Sequence, residues 1–264
     1  MAVGTQAGMA QKQNRDTLNT GKVYKIDEVV VTGTRSETDV RHLSQTVSVV
    51  GRTKISQAMQ PSLLPVLTEQ IPGLFVTSRG VMGYGVSGGA AGSISLRGLS
   101  GGAARLMVMI DGHPQYAGIF GHPIADAYQS FLAERVEVLR GPASVLYGSN
   151  AMGGVVNIVT RSMQQDGVNT HLRAGYGSYN TLETELTNRI RKGRFSSVVS
   201  ASYNRTDGHR ADMGFEQYSS YAKLGYALTD NWKLRGDVNV THFNASYPGP
   251  VTAPLLDGDQ RITR

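Results

Sequence analysis

Residues 134–160 have the sequence ERVEVLRGPASVLYGSNAMGGVVNIVT. Two apolar runs within this stretch, Val136–Leu139 and Val155–Val159, consist mainly of β-branched and aliphatic residues and predict two strands. The small residues between them, 141–154, predict a turn that includes one helical turn at 143–147. The stretch therefore predicts two short strands joined by a compact connection.

Four residues of this connection fit particular backbone positions. Pro142 suits the first position of the helical turn, where its missing N–H is no loss. Gly148 suits a left-handed residue that ends the turn. Gly153 and Gly154 allow a tight bend or the close approach of another backbone segment.

Composition limits the class of protein. Of 264 residues, 40% are hydrophobic and 17% are charged, so the chain is neither disordered nor a bundle of membrane helices. Thirty-two glycines and twelve tyrosines beside a single tryptophan are typical of a turn-rich β protein. The net charge is +6. The sequence contains no basic run with interleaved aromatic residues, the pattern that would predict nucleic-acid binding. The lack of cysteine is compatible with an oxidising compartment.

The N-terminal residues 1–24 are polar and predict a disordered segment. The next run, KIDEVVVTGTR at 25–35, contains the β-branched core Glu28–Thr32. A short β-branched run after a flexible segment suits addition, as a strand, to the sheet of a partner protein. An ordinary edge strand is the alternative interpretation of the same residues.

The segment 46–96 predicts a strand, two helices and two further strands. In that order they are Thr46–Val50, Lys54–Met59, Ser62–Gln70, Leu74–Thr77 and Ser93–Leu96. Between the last two strands, 80–92 contains six glycines, and 83–88 has the G-x-G-x-x-G spacing of a nucleotide-binding loop. That fingerprint requires a helix after the glycines, and a strand follows instead, so an irregular loop is the better interpretation.

Arg105–Ile110 is almost wholly apolar, which predicts a central strand buried on both faces. Asp111 and Gly112 predict a turn after it. The loop that follows carries His113 and His122, which could ligate iron or haem, although solvated loop histidines are commoner.

An enzyme is the least supported class. No Ser-His-Asp, zinc-spaced or paired-carboxylate pattern stands out in the sequence. Asp111, His113 and Asp126 would converge only by chance, since an Asp-Gly at the end of a strand is more simply a turn.

Apolar and polar residues alternate from residue 168 onward. The alternation predicts five strands of about ten or more residues, each with one apolar face. The face of the first strand is made of Val168, Thr170, Leu172, Ala174 and Tyr176. Strand length and period are typical of a transmembrane barrel wall. A soluble antiparallel meander with one dry face is the alternative.

These patterns resemble the plug domain and the first barrel strands of TonB-dependent outer-membrane receptors. The resemblance rests on Arg-Gly-Pro at 140–142, Tyr-Gly at 147–148 and GGVVNI at 153–158. It rests also on LTEQIPGLFV at 67–76 and LMVMIDG at 106–112. These motifs are long, ordered and spaced, which makes them far more specific than a lone glycine motif.

The resemblance extends from residue 26 to about 245 and implies a domain organisation. A disordered segment (1–24) and a TonB-box-like segment (25–35) would precede an α+β plug, a small mixed sheet with short helices (36–162). Antiparallel transmembrane β-barrel strands would follow (163–264). A plug of this size needs a barrel of roughly 22 strands, so five strands imply a fragment of one, and the chain is expected to stop in an extracellular loop.

The resemblance also implies roles for individual residues. The TonB box, which would bind the energy transducer, comprises Asp27, Glu28, Val29, Val30, Val31 and Thr32. The apical plug loops that would bind substrate carry Arg79, Met82, Tyr84, Val86, Ser87, His113, Gln115, Tyr116, Ile119, Phe120 and His122. Structural positions of the plug are Arg97, Gly98, Asp111, Gly112, Glu137, Arg140, Gly141, Pro142, Tyr147, Gly148, Gly153, Gly154 and Asn157. Arg97, Glu137 and Arg140 are expected to be buried and paired, because an unpaired buried charge is costly.

The implied function is active import of a scarce nutrient, a ferric siderophore, haem or cobalamin, across the bacterial outer membrane. The implied partners are a TonB-type energy transducer bound by strand addition, the substrate and outer-membrane lipid, with no nucleic acid. The plug would be reached from the periplasm. No enzymatic activity, cofactor or resident metal is implied. The alternative is a non-transporting outer-membrane receptor or adhesin with a plug-like binding module, which would not require Glu28–Thr32.

Overall fold

The structure is a computed structural model of the chain. It describes residues 46–77, 82–83, 94–98, 106–115 and 125–246. The structure describes only the backbone of Ser149 and of the short strands at 29–30, 38–39, 86–87, 90–91, 99–100 and 261–263. The predictions for residues 1–28 therefore lie outside the described residues.

A mixed five-stranded sheet forms the centre of the first half of the chain. Its strands, in sheet order, are β10 (His113–Pro114), β9 (Leu106–Ile110), β12 (Gly154–Thr160), β11 (Ala133–Arg140) and β3 (Thr46–Gly51). β9 and β12 run parallel, and the other neighbours run antiparallel. All five residues of β9 are buried, as predicted for a strand covered on both faces.

The stretch 134–160 forms the antiparallel pair at the middle of this sheet, from Ala133 opposite Thr160 to Arg140 opposite Gly154. The predicted helical turn is α3, Ser144–Tyr147, with Ala143 at its N-cap. Pro142 thus precedes the helix instead of opening it, because the first helical residue is Ser144.

Gly148 has φ 86° and ψ −177°. The positive φ that we predicted is present, but this backbone is not the left-handed helical conformation. The chain leaves α3 extended, towards the short 3-10 helix Ser149–Ala151.

Two short helices cover one face of the sheet. They are α1 (Arg52–Gln57) and α2 (Leu63–Gln70), and the Ser62 side chain caps α2 by accepting a hydrogen bond from the Leu64 amide. The four predicted apolar residues of α2, Leu63, Leu64, Val66 and Leu67, are buried in the main core. None of the helices in the described residues is both long and apolar enough to cross a membrane.

Two small antiparallel sheets follow the helices. β4 (Leu74–Val76), β7 (Ile94–Leu96) and β8 (Leu99–Ser100) form one, and β5 (Val86–Ser87) pairs with β6 (Ala90–Ala91) in the other. A strand therefore does follow the glycine-rich segment, as predicted. Near the N-terminus, β1 (Val29–Val30) pairs with β2 (Thr38–Asp39).

The second half of the chain is an antiparallel sheet of long neighbouring strands, which we call the wall. Its strands are β13 (Gly167–Gly177), β14 (Thr181–Lys192), β15 (Phe195–Thr206), β16 (Phe215–Ala227) and β17 (Lys233–Ser246). All five were predicted. The polar end of the chain was expected to be a loop, but Arg261–Thr263 forms β18 and pairs with Asn244–Ser246.

The two ends and two faces of the wall are distinct. The upper end carries the connections 178–180 and 207–214, and the lower end carries 193–194 and 228–232. Large apolar side chains are exposed on the outer face, among them Val168, Leu172, Leu186, Val199, Leu224, Leu234 and Val238. The inner face is mostly polar. The first half of the chain packs against it along β14, β15 and β16, where the inward residues are buried or half-buried, whereas most inward residues of β13 and the lower half of β17 are exposed.

Gly154 is a position where a side chain cannot be accommodated. Its φ is 150°, and a Cβ there would collide with the Leu139 carbonyl oxygen and come 2.7 Å from Leu96 Cδ2. Backbone strain and overpacking add, so we expect Gly154→Ala to lower the free energy of unfolding by roughly 2–4 kcal/mol. Urea unfolding in detergent micelles measures this loss.

Gly141→Ala is the matched control, because Gly141 has φ 127° and no atom within 4 Å of the added Cβ. It should cost roughly 1–2 kcal/mol, from backbone strain alone. Equal losses in the two variants would show that the close approach at Gly154 is unimportant.

Candidate functional site

Asp111 joins the first half of the chain to the wall. It follows β9 in the predicted Asp-Gly turn and has φ 49°. Its Oδ1 accepts a hydrogen bond from the Thr160 amide (2.8 Å), and its Oδ2 accepts one from Thr160 Oγ1 (2.6 Å). Lys223, on the inner face of β16, donates from Nζ to Asp111 Oδ2 (2.6 Å) and to Thr160 Oγ1 (2.8 Å). We call these three residues the lysine contact.

The lysine contact keeps Asp111 ionised. Burial alone would raise the pKa of the Asp111 carboxyl, but the Lys223 charge and the hydrogen bonds from Lys223 and Thr160 outweigh it. The pKa therefore lies below its ordinary value. Both side chains are mostly buried, with 18% of Lys223 and 19% of Asp111 exposed, so removing one partner leaves the other charge poorly solvated.

A second contact with the wall uses two buried amides. Gln129 and Gln217 each donate from Nε2 to the backbone carbonyl of Asp126, at 2.7 Å and 2.6 Å. Gln129 Nε2 also lies 3.1 Å from Gln217 Oε1. We call these residues the glutamine contact, and it lies near the upper end of β16.

An ion cluster lies at a level between these two contacts. Arg161 and Glu185 are both buried, yet their nearest charged atoms are 4.0 Å apart, beyond hydrogen-bonding distance. Burial, followed by the positive charges of Arg52 and Arg189, lowers the pKa of Arg161 to about 10. Arg52 is tied instead to the carbonyls of Ser130 and Ala133. The cluster is therefore less well paired than the contacts on either side of it.

Met82 and Gly83 lie at the upper end of the wall. Met82 packs against the buried pair Phe215 and Phe243, whose ring centroids are 6.2 Å apart. A Cβ on Gly83 would come 2.5 Å from the Phe215 ring, so glycine allows this close approach. Of the other predicted substrate residues in 79–87, Arg79 and Tyr84 lie outside the described residues, as do the side chains of Val86 and Ser87.

His113 and Gln115 lie in the lower half instead. His113 Nδ1 is 3.5 Å from Asp237 Oδ1 on β17. Asp237 lies directly across from Lys223 in the register of the β16–β17 strand pair. The Gln115 amide bonds to the Val108 carbonyl. The described residues therefore do not bring His113 and Gln115 together with Met82. Tyr116, Ile119, Phe120 and His122 lie outside the described residues.

Asp111, His113 and Asp126 do not form one site. Asp111 bonds to Lys223, whereas the Asp126 carbonyl bonds to Gln217. Those two wall residues are six positions apart on one strand, which is about 20 Å. Among the described residues no group of three or more metal-ligating side chains occurs.

The three charged residues that we expected to be buried differ from one another. Glu137 is fully buried and pairs with Arg135 at 2.8 Å, as predicted. Arg140 is half-buried, and its Nε is buried without a hydrogen-bond partner among the described residues, so its predicted pairing is not found. Arg97 is exposed, which corrects the prediction. Arg97 lies in a tight turn with φ 55°, and this turn carries its side chain away from the core.

The remaining structural positions form turns and close contacts. Asn157 Oδ1 accepts a hydrogen bond from the Gly112 amide, which fixes the turn that presents Asp111. Gly98 and Gly112 have positive φ, as turn glycines do. Gly153 is buried and its carbonyl accepts from the Gly141 amide, while Tyr147 packs on the second core cluster.

Sequence reasoning missed Thr160, Lys223, Gln129 and Gln217. Gln217 and Lys223 belong to the wall and share the inward face of β16, so a clear alternation of polar and apolar residues along that strand could have identified them. That strand alternates poorly, since its inner face also carries the buried apolar residues Phe215 and Tyr221. Tyr221 packs on Phe131 and Leu132, and so apolar side chains occur on both faces of β16.

Asp111→Asn should destabilise the protein by roughly 3–5 kcal/mol, because it leaves the mostly buried Lys223 without its partner. Adding Lys223→Met should recover part of that loss in a double-mutant cycle. Since the pKa of Asp111 is lowered on folding, its contribution is present above the unfolded value near 4 and is lost as pH falls below it. Unfolding midpoints between pH 6 and pH 2 should fall more steeply for the wild type than for Asp111→Asn; parallel curves would contradict the assignment.

Residues 39–155 match the family model described as TonB-dependent Receptor Plug Domain. Solved structures with the same fold include the pyoverdine outer membrane receptor FpvA from Pseudomonas aeruginosa PAO1 (20% identity, TM-score 0.65, 84% of this chain and 32% of that one). The ferric yersiniabactin uptake receptor FyuA from Yersinia pestis is another (23% identity, TM-score 0.58, 76% of this chain and 32% of that one). A third is the copper transporter OprC (16% identity, TM-score 0.60, 77% of this chain and 32% of that one).

The chain spans about a third of the length of these structures. At such low identities the likeness shows the fold, and the family model identifies the domain. The mixed sheet with its short helices is the plug, and the wall corresponds to part of the receptor barrel. Residues 39–155 are thus a plug domain of the kind described for TonB-dependent receptors, and the antiparallel strands that follow have the fold of part of the barrel in these structures.

Proposed function

We propose that this chain belongs to an outer-membrane importer that is energised by a TonB-type transducer. The observation that carries the proposal is the packing of the plug sheet against the polar inner face of a wall whose outer face is apolar. A plug held in this way would close a pore until it is rearranged.

The outer face supports a place in lipid. Its exposed residues are aliphatic along the strands, and aromatic residues lie near both ends, with Tyr176 at the upper end and Tyr226 and Trp232 at the lower end. Aromatic girdles that flank an apolar band are typical of membrane barrels. A soluble meander would have to cover this face with another part of the protein.

For the substrate we propose a metal chelate, in the class that the sequence predicted: a ferric siderophore, haem or cobalamin. Pyoverdine and ferric yersiniabactin are ligands of proteins with the same fold. Met82 and its neighbours at the upper end remain the proposed substrate-facing residues of the plug. His113 and Gln115 are weaker candidates, because they lie in the lower half.

The proposed mechanism begins at the TonB box. Val29 and Val30 pair with Asp39 and Thr38, so strand addition to a transducer would compete with this internal pairing. Pulling on the N-terminal side would next load β3, which is an edge strand joined to the sheet through β11. An edge strand can separate one pair at a time, which makes β3 the natural first element of the plug to move.

The alternative is a non-transporting receptor or adhesin in which the plug acts as a binding module. It shares the fold and the membrane location. It differs in that the Glu28–Thr32 run would have no role in energised uptake.

Val30→Pro separates the two functions. Proline removes a backbone donor and fixes φ, so it should disrupt strand addition whatever the side-chain preference. We expect uptake to fall to background while equilibrium binding of substrate stays within about twofold of wild type. Both are measured in cells that lack the native gene, with ferric siderophores, haem and cobalamin as separate substrates.

Val30→Ala is the control, because it keeps the backbone donor and should transport normally. Normal uptake by Val30→Pro would remove the TonB-box assignment and favour the adhesin. Loss of both uptake and binding would make the segment a structural part of the plug.

A further inference from the structure

One row of residues crosses the inner face of the wall at its lower end. Arg191 lies opposite Ser196, Ser196 opposite Gly225, and Gly225 opposite Arg235. Two of the smallest side chains thus lie between two guanidinium groups. Three strand spacings separate the backbones of the two arginines, which is about 14 Å. We call these four residues the arginine row.

A cavity of about 920 Å³ separates the arginine row from the plug sheet. Lys223 and Lys233 also line it from the wall, and Arg135 lines it from the plug. Asp111 is the carboxylate among the described lining residues, and its Oδ2 is already occupied by the Lys223 ammonium and the Thr160 hydroxyl. The cavity is therefore strongly cationic.

The acidic neighbours do not neutralise all of this charge. Asp166 is 3.8 Å from Arg191, and Glu137 is 2.8 Å from Arg135. Asp237 is the next inward residue of β17 after Arg235, and His113 is its partner at 3.5 Å. Within the described part of the chain, no carboxylate lies within 4.0 Å of the charged groups of Lys233 or Arg235.

The middle of the row is kept small. A Cβ on Gly225 would come 2.7 Å from Ser196 Oγ, so the glycine preserves the space between the arginines. A second, smaller cavity of about 110 Å³ continues from the row towards the lower connections. It is lined by Arg191, Arg194, Lys233 and Arg235, and its described lining residues include no carboxylate.

We propose that the arginine row binds a small soluble anion that carries carboxylate or phosphate groups. The Arg235 guanidinium can take an oxyanion through paired N–H donors. Arg191 can take a second one through Nη2, since its Nη1 donates to the Met163 carbonyl (3.0 Å). A lipid headgroup has the same chemistry but reaches the outer face, to which the neighbouring side chains of Ile190, Tyr226 and Leu234 point. The inner face favours a soluble ligand, and the site does not depend on whether the chain imports.

Inorganic pyrophosphate is the probe, titrated by calorimetry into the full-length protein in neutral detergent at low ionic strength. We expect saturable binding to one site. Arg235→Gln and Arg191→Gln should each weaken binding about tenfold, the loss of one charge-assisted contact. Lys192→Gln is the matched control, because Lys192 is a cation at the same end of the wall on the outer face; it should change the affinity less than about twofold.

Gly225→Leu tests the space without changing charge, and it should also weaken binding about tenfold or more. Near-ultraviolet circular dichroism checks that Gly225→Leu folds. If it does not fold, Arg235→Gln and Arg191→Gln still test the binding site. No saturable binding, or an equal loss in Lys192→Gln, would overturn the site. Displacement of pyrophosphate by phosphatidylglycerol nanodiscs but not by free citrate would overturn the soluble ligand.

Discussion

The polar inner face of the wall is the constraint on which the rest of the structure depends. Because side chains alternate along a strand, an apolar outer face leaves the inner face to carry Gln217, Tyr221 and Lys223. Those groups lose water when the first half of the chain covers them, and each then needs a partner. Asp111, Thr160 and the Asp126 carbonyl supply those partners. The plug therefore supplies the hydrogen-bond partners that the inner face of the wall lacks.

The contacts between plug and wall are unequal. The lysine and glutamine contacts are short and well directed, whereas Arg161 and Glu185 are buried at 4.0 Å without a hydrogen bond. A buried pair of this kind adds little stability, since desolvation offsets its attraction. The plug is thus held to the wall at two levels, by the lysine and glutamine contacts, and only weakly at the level between them.

Local patterns in the sequence predicted most of the fold. The alternation from Val168 onward located the wall strands, and the apolar run before Asp111 located the buried strand β9. Contacts between residues far apart in the sequence could not be predicted. The sequence around Asp111 indicates only a turn, because its partner Lys223 is 112 positions away. The exposure of Arg97 depends on a positive φ, and the position of His113 in the lower half depends on how the sheet is seated. No local periodicity reports either feature.

We expect import to require release of the contacts between plug and wall. The chain has no cysteine, so Gln129→Cys and Gln217→Cys introduce one pair at the glutamine contact. That pair can be bridged with a short bis-methanethiosulfonate reagent in cells that express the full-length protein. The bridged protein should bind substrate but not import it, reductant should restore import, and the single-cysteine variants should import throughout. Import at the wild-type rate by the bridged protein would contradict this expectation.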